Sequence, residues 1–167
     1  MIMPNPLNIL QRELQGSLEF FLQSINLDAH SQGFGLTVDT TKNPPLASIA
    51  ATGFALTAWV IGSERGWLPL SRALEITRGT LRTLSHHASH EHGFFAHFLH
   101  MENAQRYGKC EYSTLDTALC LNGVITAAAY FQDAEIHQLA EALLERVDWR
   151  FIVFETAGQA LFHMAYN

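Results

Sequence analysis

Two carboxylates, Glu111 and Asp116, flank Ser113, Thr114 and Leu115, a run that signals the start of a helix. At a helix N-terminus the free amides and the macrodipole favour an ionised carboxylate. The pair therefore suits a general base or an anionic contact better than an acid with a raised pKa. A purely structural duty is also open to Asp116, because a carboxylate three residues after Ser113 can close a capping box. A second concentration of chemistry precedes them. His86, His87, His90, His92, His97 and His100 place six of the nine histidines within fifteen residues. His86 and His90 have the spacing of one helix face, but no HExxH pattern accompanies them, so a metal is the weaker reading and no metal ligand or cofactor is assigned. Neutral imidazoles both donate to and accept from hydroxyls, and Phe94, Phe95, Phe98, Tyr107 and Tyr112 offer apolar ring faces nearby. That combination suits contact with a sugar ring, with a packed aromatic loop of satisfied histidines as the structural alternative. No Ser-His-Asp order, nucleophile elbow, phosphate-binding loop or dinucleotide fingerprint occurs, and Gly33, Phe34 and Gly35 lack the strand and helix context such a loop requires.

These groups need elements to hold them. The 167 residues carry 10 Lys plus Arg against 16 Asp plus Glu, a net charge of -6, with 48% hydrophobic residues, which predicts one soluble globular domain over residues 1–167. A chain of this length buries about 70% of its unfolded surface and needs no disulfide or metal. Cys110 and Cys120 accordingly read as ordinary buried or half-buried thiols. No cluster of Lys and Arg exists to release counterions, which argues against nucleic acid as a partner. Residues 1–6 contain no positive charge, and Gln11, Arg12 and Glu13 interrupt the first apolar run, so no secretion signal is read and the cytoplasm is the default location. The longest mostly apolar stretch, 46–62, falls short of the ~20 residues that span a bilayer, so no membrane segment is expected.

Leu7, Leu10, Leu14, Leu18, Phe21 and Ile25 recur at spacings of three and four and predict an amphipathic helix over 6–25. Residues 26–45 read as a long loop with a short extended piece at 34–38. Residues 48–61 are apolar nearly all round, the mark of a helix buried on every side, with Gly62 or Gly66 to end it. A surface helix follows at 71–84, with Leu74, Ile76, Leu81 and Leu84 inward and Arg72, Arg78 and Arg82 outward. After a polar connection over 85–110, a second all-round apolar helix (114–131) precedes a second amphipathic one (134–147). This alternation predicts an all-α architecture of paired inner and outer helices, part of a helical toroid or solenoid. Five helices of such a toroid leave an apolar flank uncovered, and the apolar segment 151–167, which has no cap or charged finish, reads as an interruption.

Particular residues point further. Ser48, Ile49, Ala50, Ala51, Thr52, Gly53, Phe54, Ala55, Leu56 and Thr57, followed by Gly62, Ser63, Glu64, Arg65, Gly66 and Trp67, resemble the bacterial glycoamylase-like domain, the group that includes endo-β-1,2-glucanases. His92, Gly93, Phe94 and Phe95 with His97 and Phe98 are similar to its aromatic loop. Glu111 and Ser113 through Leu119 resemble the opening of its next inner helix, and Glu135 through Trp149 its Val-Asp-Trp outer helix. The resemblance implies that the chain is the N-terminal half of an (α/α)6 barrel whose complete form hydrolyses a β-linked glucan, β-1,2-glucan being favoured. It implies Glu111 and Asp116 as the carboxylates brought to the site and His92, Phe94, His97, Arg106 and Tyr112 as sugar contacts. The family's domain is more than twice as long, and it shows Asp where this chain has His100. As this truncated chain the protein is expected to be inactive. The alternative is a non-catalytic carbohydrate-binding or assembly module that pairs its open half barrel with another copy or with a second-half chain.

Overall fold

The computed structural model describes residues 6–167; residues 1–5 and the side chains of Pro6 and Leu7, the first position of the predicted stripe, lie outside the described part. Among the described residues five helices form, α1 (Pro6–Gln23), α2 (Ile49–Glu64), α3 (Leu70–His86), α4 (Thr114–Tyr130) and α5 (Ala134–Glu145), each within three residues of its predicted bounds. Their starts follow from local chemistry. Ser48 caps α2 by accepting from the Ala51 N–H, Ser113 caps α4 by accepting from the Asp116 N–H, and Asp133 caps α5 by accepting from the Ile136 N–H. Gly66 at φ +69 follows the last turn of α2, so it, and not Gly62, ends that helix.

The two apolar helices lie against each other. Gly53 of α2 and Gly123 of α4 make the crossing close: a Cβ on Gly123 would stand 2.0 Å from the Gly53 carbonyl oxygen. Around it Thr52, Leu56, Trp59, Thr117, Cys120, Leu121 and Val124 are buried. α3 and α5 form the other layer, α3 against α2 and α5 against α4. Of the three arginines expected to point outward from α3, Arg72 pairs with Glu75 in the same helix, and Arg78 and Arg82 run along the surface to α5. Arg78 grips both carboxylate oxygens of Asp133, and Arg82 donates to Glu135 at 2.6 and 2.8 Å. Arg146 joins the layers' ends by donating to the carbonyls of Leu84 and Ser85 at the end of α3, with its guanidinium 5.1 Å from the centroid of Phe95.

The fold is helical as expected, and its connections add short strands to it. Among the described residues eight short strands occur, β1 (Leu46–Ser48), β2 (His90–Glu91), β3 (Phe94–Phe95), β4 (Phe98–His100), β5 (Tyr112–Ser113), β6 (Val153–Thr156), β7 (Gln159–Phe162) and β8 (Ala165–Tyr166). They pair antiparallel as β1 with β4, β2 with β3, β5 with β8 and β6 with β7. Strands this short have no period to read, which is why they were invisible in the sequence. The 85–110 connection is thus a folded set of turns, and the apolar 151–167 segment is a hairpin plus β8. The 26–45 loop is pinned by the Asn26 side chain donating to Met101 O at 2.8 Å and by Ser31 donating to Glu102 O at 2.6 Å. Its extended piece narrows to Thr37 and Val38, which bridge to Ile25 and Ala47.

Each inner helix leaves one apolar stripe in solvent, with Phe54 and Ile61 on α2 and Leu115 and Ile125 on α4. A groove of about 240 Å³ between α1 and α2, lined by Leu14, Phe21, Phe54 and Ile61, continues the first stripe. No described helix is long and apolar enough to cross a membrane.

Candidate functional site

The β1–β4 pairing and the bridge between Ala96 and Tyr112 bring the N-termini of α2 and α4 to one rim, and the candidate residues gather there. His97, between β3 and β4, is fixed through its backbone: its N–H donates to Glu111 O at 2.9 Å and its carbonyl accepts from the Ile49 N–H that opens α2. Its ring stacks on Phe98 at 3.8 Å between centroids. This leaves the two ring nitrogens facing two carboxylates. Nδ1 lies 2.8 Å from Glu111 Oε1, and Nε2 lies 3.7 Å from Asp116 Oδ1. The pair separated in sequence is therefore one cluster, with the imidazole between its members.

Asp116 occupies the first turn of α4. Ser113 Oγ accepts the Asp116 N–H at 3.1 Å and donates its own proton to Asp116 Oδ2. The Asp116 carboxylate thus takes the Ser113 hydroxyl proton, where a reciprocal box would have it accept the Ser113 backbone N–H. Oδ1 is consequently directed toward His97. The Glu111 carboxyl is held below the ordinary glutamate range, first by its own backbone N–H, then by His97 and by the positive charge of Arg106. It stays ionised, as expected for a base or an anionic contact.

Arg106 is built into the same rim. Its Nε donates to Cys110 O at 2.6 Å, its terminal nitrogen bonds the Asn167 side chain, and its guanidinium lies 4.5 Å from the centroid of Tyr112. Tyr112 on β5 stacks at 5.8 Å on Tyr166 of β8. Tyr166 meets Phe151 at 4.9 Å, and Phe151 stacks on His92 at 3.8 Å. A strip results that is polar at the carboxylate end and aromatic at the His92 end. His92 sits at φ +50 in the tight turn from β2 to β3, followed by Gly93 at φ +84, and its carbonyl accepts from the Asp148 N–H.

Of the predicted contacts, His97, Arg106 and Tyr112 are brought to the carboxylates and His92 to the far end of the strip. Phe94 is not at this surface. It is fully buried, edge-on to Trp149 at 5.5 Å and to Tyr166 at 6.1 Å, so it packs beneath the strip and presents no ring face. The sequence reading missed Tyr166, Phe151 and Asn167. Their only signal was a terminal apolar segment, and their place depends on pairing across the chain. The Tyr166 hydroxyl donates to Glu91 O at 2.6 Å, and burial together with Glu91 and Tyr112 pushes its pKa up to about 12.

The other candidate groups scatter. His90 packs on Phe95, His100 on Tyr107 and His86 on His87, each imidazole against a different ring. Among the described residues no group of three or more His, Cys, Asp or Glu is placed to hold a metal ion. Cys120 is buried, its thiol pushed up to about 12 by desolvation, and Cys110 is half-buried and donates to Phe98 O. Glu64 accepts from the Tyr130 hydroxyl at 3.0 Å. A larger groove, of about 650 Å³, lies beyond the other end of β4 and is lined by Asn26, Asp28, His100 and Glu102 among others.

No family model and no curated protein matches the sequence. Solved structures do. A glucoamylase-like protein of Bacteroides uniformis superposes with a TM-score of 0.82 at 17% identity, over 100% of this chain and 41% of that one. An endo-β-1,2-glucanase of Chitinophaga pinensis, solved with sophorotriose and glucose, gives 0.74 at 16% identity, over 89% of this chain and 38% of that one. A β-1,2-glucanase of Parabacteroides distasonis gives 0.73 at 16% identity, over 89% and 22%. The chain spans less than half the length of each. The resemblance read from its motifs is thus matched in three dimensions: the chain has a helical fold shared with part of the glucoamylase-like and endo-β-1,2-glucanase proteins.

Proposed function

We propose that residues 1–167 form a single domain corresponding to the N-terminal half of an (α/α)6 toroid, and that its rim at β5 and the start of α4 takes a β-linked glucan, with β-1,2-glucan favoured. The observation that carries this is the cluster of Glu111, His97 and Asp116 opening onto the strip of Arg106, Tyr112, Tyr166, Phe151 and His92. Carboxylates accept from sugar hydroxyls, Arg106 donates to them, and the rings offer apolar faces to a pyranose. The fold shared with two β-1,2-glucanases supports the choice of linkage.

Glycoside hydrolysis needs one carboxyl as acid and another as base or nucleophile. Glu111 and Asp116 are the carboxylates this domain brings. The lowered pKa of Glu111 suits a base better than the acid, and we assign the acid to the part of the toroid that this chain does not span. The chain by itself binds glucan without cleaving it. The exposed stripes of Phe54, Ile61, Leu115 and Ile125 favour a second reading, a binding or assembly module whose apolar flank pairs with another copy or with a chain supplying the second half.

Reducing-sugar release from linear β-1,2-glucan and from starch, beside calorimetry with sophorotriose, tests the proposal on the wild-type chain, Asp116→Asn and Glu111→Gln. Sophorotriose binding weakened in both variants, with no release from either polymer, is the expected result. Release by the wild-type chain would overturn the incomplete-site reading, and absence of any binding would overturn the glucan reading.

A further inference from the structure

The geometry around His97 assigns Glu111 and Asp116 different duties. An ionised carboxylate can only accept, so the 2.8 Å contact with Glu111 Oε1 requires the proton on His97 Nδ1. In the neutral ring Nε2 is then a bare acceptor. It faces Asp116 Oδ1, also an acceptor, at 3.7 Å, which is beyond hydrogen-bond distance. Ser113 is bound to the other oxygen of Asp116, Oδ2, and leaves Oδ1 turned to the imidazole. Two acceptors 3.7 Å apart lie close enough for a single oxygen to stand about 2.8 Å from both. Both side chains retain solvent access, 27% for His97 and 18% for Asp116, so such an oxygen can reach them.

We propose that His97 Nε2 and Asp116 Oδ1 form a two-acceptor cradle for one donor oxygen, and that Glu111 is a positioning residue that sets the cradle by fixing the His97 tautomer. The oxygen belongs either to water, which gives one O–H to each acceptor, or to a sugar hydroxyl, whose single O–H is shared between the two. Only that last choice rests on the glucan reading, which this inference deepens. The arrangement follows the general rule that the hydrogen bond at one imidazole nitrogen decides what the other can do. The groups facing the cluster are Glu111, Asp116 and Ser113 together with the Arg106 charge beside Glu111, and the Phe98 ring covers one face of the imidazole.

The test is nitrogen NMR of the histidine rings in the full chain at about pH 8, above the ordinary histidine pKa, with His97→Asn to identify the signals. The wild type is expected to show His97 protonated at Nδ1 and bare at Nε2. Glu111→Leu is expected to lose that single tautomer, and Asp116→Asn to shift Nε2 while leaving Nδ1 protonated. A neutral ring protonated at Nε2 in the wild type would overturn the proposal, and so would an Nε2 signal indifferent to Asp116→Asn. Should Glu111→Leu not fold, the wild-type signature and the Asp116→Asn response decide by themselves. Adding sophorotriose then separates the two sources. A moved Nε2 signal with about five- to tenfold weaker binding in His97→Asn identifies a sugar hydroxyl, and an unmoved Nε2 with shifts elsewhere on the strip identifies water. If sophorotriose shifts nothing, the glucan reading fails while the tautomer result still judges the cradle.

Discussion

The close approach of α2 and α4 makes a sharp prediction for Gly123→Ala. The added methyl would meet three backbone atoms of Gly53, at 2.0 Å from O, 2.7 Å from C and 2.9 Å from Cα. Backbone cannot swing aside as a side chain can, so the helices must part, and a gap of 0.5–1 Å forfeits roughly a quarter to a half of each dispersion contact along the seam. Overpacking of this kind costs about 3 kcal/mol at the upper end of its usual range. Alanine regains about 1 kcal/mol over glycine inside a helix. The net loss is about 2 kcal/mol, which in a domain of this size lowers Tm by about 4–8 °C. Gly16→Ala supplies the control, because nothing lies within 4 Å of its Cβ position on exposed α1. There the same substitution is expected to raise Tm by a few degrees, by at most about 1 kcal/mol of stability. Thermal unfolding followed by circular dichroism reads both. A Gly123→Ala variant as stable as the wild type would refute the close-crossing argument.

Other perturbations address the remaining joints. Asp133 is held at about 2 by the Arg78 guanidinium and then by the Ile136 N–H. A depressed carboxylate adds stability above its unfolded pKa of about 4 and loses it as pH falls through the folded value. Asp133→Asn, which keeps a good cap, should therefore lower stability at neutral pH and flatten its decline between about pH 4 and 2 in acid denaturation; an unchanged slope would count against the Arg78 pairing. Arg146→Met removes the donors to Leu84 O and Ser85 O and should cost about 2–3 kcal/mol in urea unfolding. Arg146→Lys should rescue little of it, since a single ammonium does not reproduce the fork that reaches both carbonyls. In His97→Leu the Glu111 carboxyl, followed by carbon NMR, should titrate higher than in the wild type while remaining below the ordinary value, because its own N–H still supports it; no change would show that His97 does not hold Glu111.

The helices were legible because their signals are local. Ser48 and Ser113 announce their helices within three residues, and the all-round apolar character of α2 and α4 is a statement about burial that survives folding. The carboxylate pair was legible for the same reason, since both members flank one helix start. What failed to show were consequences of long-range pairing. Phe94 belongs to an aromatic run that reads as ring faces, but pairing of β2 with β3 turns it into the core. Tyr166 reaches Tyr112 only through β5 and β8, and the three outward arginines of α3 gave no hint that Asp133 and Glu135 would receive two of them. That His97 stands between Glu111 and Asp116 required the turn after β3, which spacing alone does not encode.

The central claim, that a glucan sits on the rim formed by β5 and the start of α4, is most directly tested by amide NMR of the labelled chain titrated with sophorotriose. Saturable shifts centred on His97, Glu111, Tyr112 and Asp116 and extending toward Tyr166, diminished in Asp116→Asn, are the predicted result. Shifts centred on the groove of Asn26, Asp28, His100 and Glu102, or none at all, would contradict it.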